Sequence, residues 1–258
     1  MDVETYDFGV PYWVDLGADD PAAAAAFYGE LLGWECPEGA PEAGGYRVCL
    51  LRGEPVAGIG SKMGPGPTMW MSYVNVADAD ETAGKVAAAG GTVLAGPMDV
   101  LEVGRMGVFA DPQGAVFAVW QAGEHKGAGV VNEPGAFTWS ELMTTDTDAA
   151  AAFYAAVFGW GVAASEMDGM LAYGEWQLGG RVIGGMLPKP PTVPAEVPSS
   201  WNVYFAVEDT DVAVSTAQRL GGSLLMPPTD IEPGRFAVLA DPAGAVFQVI
   251  ALASVPPG

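Results

Sequence analysis

The stretch Ala110-Asp111-Pro112-Gln113-Gly114-Ala115-Val116-Phe117 decides the fold, because it returns 130 residues later as Ala240-Asp241-Pro242-Ala243-Gly244-Ala245-Val246-Phe247. An Asp-Pro pair followed by glycine predicts a tight turn, since proline presets φ and glycine accepts a positive φ near the end of the turn. The apolar run after it predicts a buried strand. The recurrence indicates that the chain contains two copies of one unit.

The first half itself contains two sets of elements in the same order. A strand over residues 12–16 leads to a helix over residues 22–32, which Asp20 and Pro21 begin and Gly33 ends. Residues 34–36, 46–52 and 55–60 follow as short strands. The order β-α-β-β-β then repeats as a strand over 70–76, a helix over about 80–89 and strands over 92–94, 104–110 and 115–121.

The second half matches the first residue by residue. Trp139 corresponds to Trp13 at an offset of 126, and Trp201 corresponds to Trp70 at an offset of 131, so the insertions fall in loops. We therefore predict an α+β protein with a first domain over residues 1–122, a linker over 123–135 and a second domain over 136–258.

Charge excludes several classes of partner. Ten Lys and Arg against 32 Asp and Glu give a formal net charge of −22, which repels phosphate backbones and anionic membrane surfaces. No apolar run approaches the roughly 20 residues that span a bilayer, and the acidic start lacks the basic region of a signal peptide. We expect a cytoplasmic monomer or homodimer without nucleic-acid or membrane partners. Cys36 and Cys49 lie only in the first half, and we expect both to be reduced.

The combined pattern resembles a known superfamily. It consists of an Asp-capped helix ending in Phe-Tyr-x4-Gly-Trp, then Trp-x2-Tyr-x2-Val-x-Asp, then Gly-Gly, then Asp-Pro-x-Gly-x-x-Phe. This resembles the glyoxalase/bleomycin-resistance/extradiol-dioxygenase (vicinal oxygen chelate) superfamily, and in particular its tandem two-domain actinobacterial members labelled glyoxalase-like proteins or hydroxylases. The resemblance covers nearly the whole chain. It implies that two modules form an eight-stranded cup in which a ligand binds.

The resemblance also implies where a divalent metal ion would bind, and these positions lack metal ligands. The first-strand ligand positions fall on Trp13 and Trp139, and the last-strand positions, where the enzymes carry glutamate, fall on Ala118 and Gln248. A catalytic divalent site needs about three His, Cys or carboxylate ligands. The single histidine, His125, falls in the linker, where we expect an exposed side chain. We therefore expect no metal and no cofactor.

Two carboxylates are the candidate catalytic groups. Asp15 lies two residues from Trp13, and Glu141 lies two residues from Trp139, so each pair shares one face of a strand. By the resemblance that face lines the cup, where burial would raise the carboxyl pKa and suit general acid or base chemistry. The alternative is that both carboxylates accept structural hydrogen bonds, which the presence of an acid in both halves favours.

Aromatic and amide side chains are the candidate ligand contacts. If Tyr73 and Tyr204 face the cup, Trp70 and Trp201 face the helices and belong to the core, although a register slip of one residue would reverse this. Asn202 and Gln248 are uncharged donors and acceptors that could orient a ligand. The predicted ligand-binding residues are Trp13, Met71, Tyr73, Trp120, Trp139, Asn202, Tyr204 and Gln248.

Two functions remain open at this point. The first is a metal-independent protein that binds a small apolar or aromatic molecule, in secondary metabolism or antibiotic sequestration. The second is a metal-independent enzyme (an isomerase, cyclase, lyase or hydroxylase partner) that uses Asp15 or Glu141 for proton transfer and a tyrosine as donor. The sequence does not decide between them, nor whether each cup forms within one domain or across the two.

Overall fold

The computed structural model describes residues 1–167 and 170–253 and contains the predicted repeat of β-α-β-β-β modules, except that the first module has one strand fewer. Two modules make up each half, and the fold is that of two tandem α+β domains. Within the described ranges, no helix is long and apolar enough to cross a membrane.

The first half contains β1 (Pro11–Ala18), α1 (Pro21–Leu32), β2 (Arg47–Leu51), β3 (Glu54–Ser61), β4 (Met69–Asn75), α2 (Ala79–Ala88), β5 (Thr92–Val100), β6 (Gly104–Ala110) and β7 (Val116–Ala122). The second contains β8 (Phe137–Thr144), α3 (Thr147–Phe158), β9 (Gly161–Met167), β10 (Met170–Leu178), β11 (Arg181–Pro188), β12 (Ser200–Ala206), α4 (Thr210–Arg219), β13 (Ser223–Ile231), β14 (Gly234–Ala240) and β15 (Val246–Leu252).

Each half forms its own mixed sheet. The first sheet has the strand order β2-β3-β1-β4-β7-β6-β5, and the second has the order β13-β14-β15-β12-β8-β11-β10-β9. The two modules of a half join through an antiparallel pair of their first strands, β1 with β4 and β8 with β12. The hydrogen-bonded sheets therefore lie within the halves, which answers the question that the sequence left open.

The first sheet has seven strands and not the expected eight. Of the predicted strand over residues 34–36, the structure shows a single bridge between Glu35 and Leu50. Proline and glycine dominate residues 37–45, and Pro37 has no N–H to donate to a longer ladder. The prediction of reduced cysteines was also wrong, because Cys36 and Cys49 form a disulfide. The bridge places them side by side, a proximity that their separation in sequence does not reveal.

The caps of α1 confirm the predicted helix boundaries. The Oδ1 of Asp20 accepts hydrogen bonds from the backbone N–H groups of Ala22 and Ala23, at 3.1 and 3.0 Å. Pro21 occupies the first turn, where its missing N–H costs no helical hydrogen bond. Gly33 ends the helix in the left-handed conformation with φ of 75°.

The repeated Asp-Pro-x-Gly turns connect the two halves. The Oδ1 of Asp111 accepts from the backbone N–H groups of Gln113 and Ala115, both at 2.9 Å, and so closes the turn. Its Oδ2 accepts from the hydroxyl of Tyr154, on α3 of the other half, at 3.2 Å. That hydroxyl in turn accepts from the indole of Trp201 at 2.7 Å. Burial raises the pKa of Asp111, and the hydrogen bonds it accepts oppose this shift.

The same arrangement recurs with the halves exchanged. Asp241 accepts from the hydroxyl of Tyr28, on α1, at 3.1 Å, and Trp70 donates to that hydroxyl at 2.9 Å. Trp70 and Trp201 are both buried in the core, as the predicted register requires. Phe247 packs edge-on against Tyr28 with ring centroids 5.3 Å apart. Each half thus inserts the aromatic side chains of its first helix into the core of the other.

Candidate functional site

The face of the first sheet that carries Trp13, Asp15, Met71, Tyr73 and Trp120 is called the first cup. In the register of the strands Trp13 lies opposite Tyr73, and Asp15 lies opposite Met71. Directly opposed residues on neighbouring strands point to the same face, so the sheet brings these predicted site residues together. The ring of Trp120 meets that of Tyr73 edge-on, with centroids 6.4 Å apart.

Sequence reasoning missed one central member of the first cup, Tyr46. Its hydroxyl donates to Oδ2 of Asp15 and accepts from the indole of Trp13, both at 3.2 Å. Tyr73 donates to the same carboxylate oxygen at 2.9 Å. The phenol of Tyr46 lies directly on Gly58, where a Cβ atom would meet the hydroxyl at 1.7 Å. Glycine is therefore required there for the tyrosine to reach the carboxylate.

Burial sets the electrostatics of this cluster. It raises the pKa of Asp15 from 3.8 to about 6, although the hydrogen bonds from Tyr73 and Tyr46 oppose the shift. The pKa values of both tyrosines are raised well above 10, mainly by burial and secondly by the charge of Asp15. The tyrosines consequently remain protonated donors, whereas Asp15 exchanges a proton near neutral pH.

The corresponding face of the second sheet, the second cup, repeats this cluster. Tyr204 donates to Oε1 of Glu141 at 2.9 Å, and Trp139 donates to the hydroxyl of Tyr173 at 3.0 Å. A Cβ on Gly185 would meet that hydroxyl at 1.9 Å. Burial raises the pKa of Glu141, and the hydroxyls of Tyr204 and Tyr173 oppose the shift.

A sequence signal for the missed tyrosines existed. Tyr46 and Tyr173 are 127 residues apart, and so are the glycines beneath them, Gly58 and Gly185. An offset shared by four residues of two types marks a duplicated contact.

The two predicted amides occupy different environments in the second cup. Gln248 is 4% exposed and lies opposite Tyr204 in the parallel pair β12–β15. Its Oε1 has no hydrogen-bond partner among the described residues. Asn202, half-buried, lies opposite Glu141 and accepts a long hydrogen bond of 3.4 Å from Ser200.

The prediction of an exposed His125 was wrong. Its ring packs edge-on against Trp13 and Trp120, with centroid distances of 4.4 and 5.6 Å, so it covers part of the first cup. Its backbone fixes it there, because its N–H donates to Val103 and its carbonyl accepts from the Trp120 indole. Burial lowers the pKa of His125 to about 4, and its buried Nε2 has no described partner. Residues 123–135, the predicted linker, show no apolar periodicity, so this packing could not be predicted from the sequence pattern.

The donors in the cups do not fit a divalent metal ion. Three ligands of the His, Cys or carboxylate type are needed, and among the described residues each cup supplies only two such side chains: Asp15 and His125 in the first, Glu141 and the exposed Glu175 in the second. Asp15 and Glu141 already accept hydrogen bonds from tyrosines. Throughout residues 1–167 and 170–253, no group of three such side chains lies close enough to hold a metal ion.

The fold and the paired cups define a class, that of tandem βαβββ proteins. The chain belongs to the glyoxalase/bleomycin resistance protein/dioxygenase superfamily, whose model matches residues 12–119, while the glyoxalase-like domain model matches residues 139–250. The family assignment from the repeated motifs is thereby confirmed.

Relatives and solved structures extend over nearly the full chain. The putative glyoxylase CFP32 of Mycobacterium tuberculosis is 41% identical over 253 residues, which cover 95% of each chain. The anthracycline biosynthesis protein DnrV of Streptomyces peucetius is 40% identical over 260 residues, covering 95% of this chain and 94% of DnrV. The Mn(II)-bound glyoxalase from Novosphingobium aromaticivorans has a TM-score of 0.64 and 17% identity, with 96% of this chain and 86% of that one covered. At that identity the likeness is one of fold.

Proposed function

We propose that this protein binds a small, apolar aromatic molecule in its cups without a metal ion. The observation that carries the proposal is the duplicated cluster of one tryptophan, two tyrosines and one buried carboxylate. Trp13 and Asp15 belong to the first copy, and Trp139 and Glu141 belong to the second. Aromatic walls suit flat ligands, and a few fixed polar groups orient them. Each cup provides both, and neither provides the ligands of a divalent ion.

The relatives support a particular ligand class. DnrV of Streptomyces peucetius and DauV of Streptomyces sp. strain C5, both 40% identical to this chain, are named for anthracycline biosynthesis. Anthracyclines contain fused planar rings, which match an aromatic-lined site in shape and polarity. We therefore assign this chain to secondary metabolism or antibiotic sequestration, with a fused-ring aromatic or polyketide-type metabolite as its ligand.

A second function, acid–base catalysis, has its own observation. Asp15 has a pKa of about 6 and contacts two protonated tyrosines, an arrangement that suits transfer of one proton near neutral pH. In such an isomerase, cyclase, lyase or hydroxylase partner, Asp15 or Glu141 would take up the proton, and Tyr73 or Tyr204 would donate a hydrogen bond to the developing charge.

The binding proposal is tested by titrating the purified chain with naphthalene and anthraquinone, two uncharged planar probes, while tryptophan fluorescence and calorimetry are recorded. We expect saturable binding that added Mn²⁺ or Zn²⁺ leaves unchanged. Absence of binding to both probes would overturn the proposal. Stoichiometric metal in the purified protein, with binding lost on chelation, would overturn metal independence.

Variants distinguish binding from catalysis. Asp15→Asn and Glu141→Gln keep the shape of each side chain, and Glu42→Gln, at an exposed position, serves as the matched control. With a fused-ring polyketide as substrate, unchanged recovery and retained affinity in both cup variants indicate binding alone. A product that disappears in one of the cup variants and persists in the control indicates the enzyme.

A further inference from the structure

The second cup contains a buried acceptor without a donor. Gln248 is 4% exposed, and its Oε1 has no hydrogen-bond partner among the described residues. A carbonyl oxygen removed from water without a replacement donor destabilises the folded protein, so a buried side chain of this kind needs an explanation. One explanation is that a bound molecule supplies the missing hydrogen-bond donor.

The neighbours of Gln248 cannot supply that donor in their present arrangement. Trp139, Tyr204 and Gln248 form one row across three adjacent strands and point to the same face. The Tyr204 hydroxyl donates its proton to Glu141, and the Trp139 indole donates to Tyr173. The donors of the row are therefore engaged, and the amide oxygen stands apart from the tyrosine–carboxylate cluster.

The first cup has no counterpart of this acceptor. The residue opposite Tyr73, at the place that Gln248 holds opposite Tyr204, is the buried Ala118. The tyrosine–carboxylate cluster is duplicated, whereas the amide of Gln248 is one of the differences between the two surfaces, another being Asn202 in the place of Met71. The amide of Gln248 gives the second cup a hydrogen-bonding specificity that the first lacks.

We propose that the second cup recognises a neutral aromatic molecule carrying a hydroxyl group, which donates its hydrogen bond to Oε1 of Gln248. The inference rests on the proposed function and adds both the cup and the ligand class. A phenolate would not bind in this way, because it has no proton to donate and would lie near the carboxyl of Glu141, two residues from Trp139 on β8. The hydroxyl therefore enters protonated.

The test compares 2-naphthol with naphthalene, which differ by one hydroxyl, on the full chain. We expect the wild-type protein to bind 2-naphthol about tenfold more tightly, the size of one hydrogen bond to a buried acceptor. Gln248→Ala, which copies the first cup, should remove this preference and leave the affinity for naphthalene unchanged within about twofold. Gln248→Met, which keeps the side-chain volume, should do the same. Gln218→Ala, at an exposed glutamine on α4, is the matched control and should keep the preference.

The outcomes distinguish failure of the Gln248 inference from failure of the proposed binding function. If Gln248→Ala and Gln248→Met, shown to be folded by circular dichroism, keep the tenfold preference, the inference is overturned and the proposed function stands. Equal affinity of the wild type for both probes also overturns the inference, since water then satisfies the amide. If neither probe binds the wild type, the proposed function fails, and the inference fails with it.

Discussion

Replacing Asp15 by asparagine removes a carboxyl group whose charged form is disfavoured by burial in the first cup. The pKa of Asp15 is raised from 3.8 to about 6, chiefly by burial. Below pH 3.8 the carboxyl is protonated in both the folded and unfolded states, so its burial does not lower the free energy of unfolding. As the pH rises from about 4 to 6, the carboxyl ionises first in the unfolded state, and the free energy of unfolding falls. Above about pH 6 the loss stays constant. A difference of about 2 pKa units corresponds to about 3 kcal/mol of unfolding free energy.

The assay for this prediction is the pH dependence of urea unfolding, compared between wild type and Asp15→Asn. We expect the stability of the variant relative to wild type to rise by about 3 kcal/mol between pH 4 and pH 8, because the variant has no charge to bury. Carbon NMR of labelled aspartate carboxyls should show one group titrating near pH 6 that disappears in the variant. The exposed Asp148→Asn should reproduce the wild-type profile. Parallel stability profiles for wild type and Asp15→Asn, with no carboxyl titrating near pH 6, would refute the reasoning.

Three further perturbations probe the packing around the cups. Replacing Cys36 and Cys49 together by alanine should lower the free energy of unfolding by about 3 kcal/mol, and a reductant should destabilise wild type equally but not the variant; no effect of either would contradict the disulfide. Tyr28→Phe leaves the Trp70 indole without its acceptor and should lower the free energy of urea unfolding by about 2 to 4 kcal/mol. A decrease of less than about 0.5 kcal/mol, which is within the error of the measurement, would contradict the buried contact. Proton NMR of His125, the single histidine, should show protonation only near pH 4, because burial lowers its pKa; a midpoint near 6.5 would place the ring in solvent.

The duplication made much of the cup predictable. Strand alternation placed Asp15 on the face of Trp13, and the shared offset placed Glu141 beside Trp139, as the sheets show. The interaction partners of these carboxylates were not predictable in the same way. Tyr46 reaches Asp15 from outside the regular strands, over a glycine of β3, and alternation within one strand carries no information about such a contact.

The sequence by itself determined the family, the repeat, the helix caps and the lack of metal ligands at the expected positions, because local turn chemistry and residue identity carry these properties. Only the tertiary structure decided which distant groups meet. Tyr28 donates to Asp241, 213 residues away, and His125 packs on Trp13. The disulfide likewise depends on the tertiary structure, as does the Oε1 of Gln248, which has no hydrogen-bond partner among the described residues. The local sequence of the repeated Asp-Pro-x-Gly turn is enough to predict the hydrogen bonds within the turn. The contacts of its aspartates with tyrosines of the other half depend on the tertiary packing around the turn.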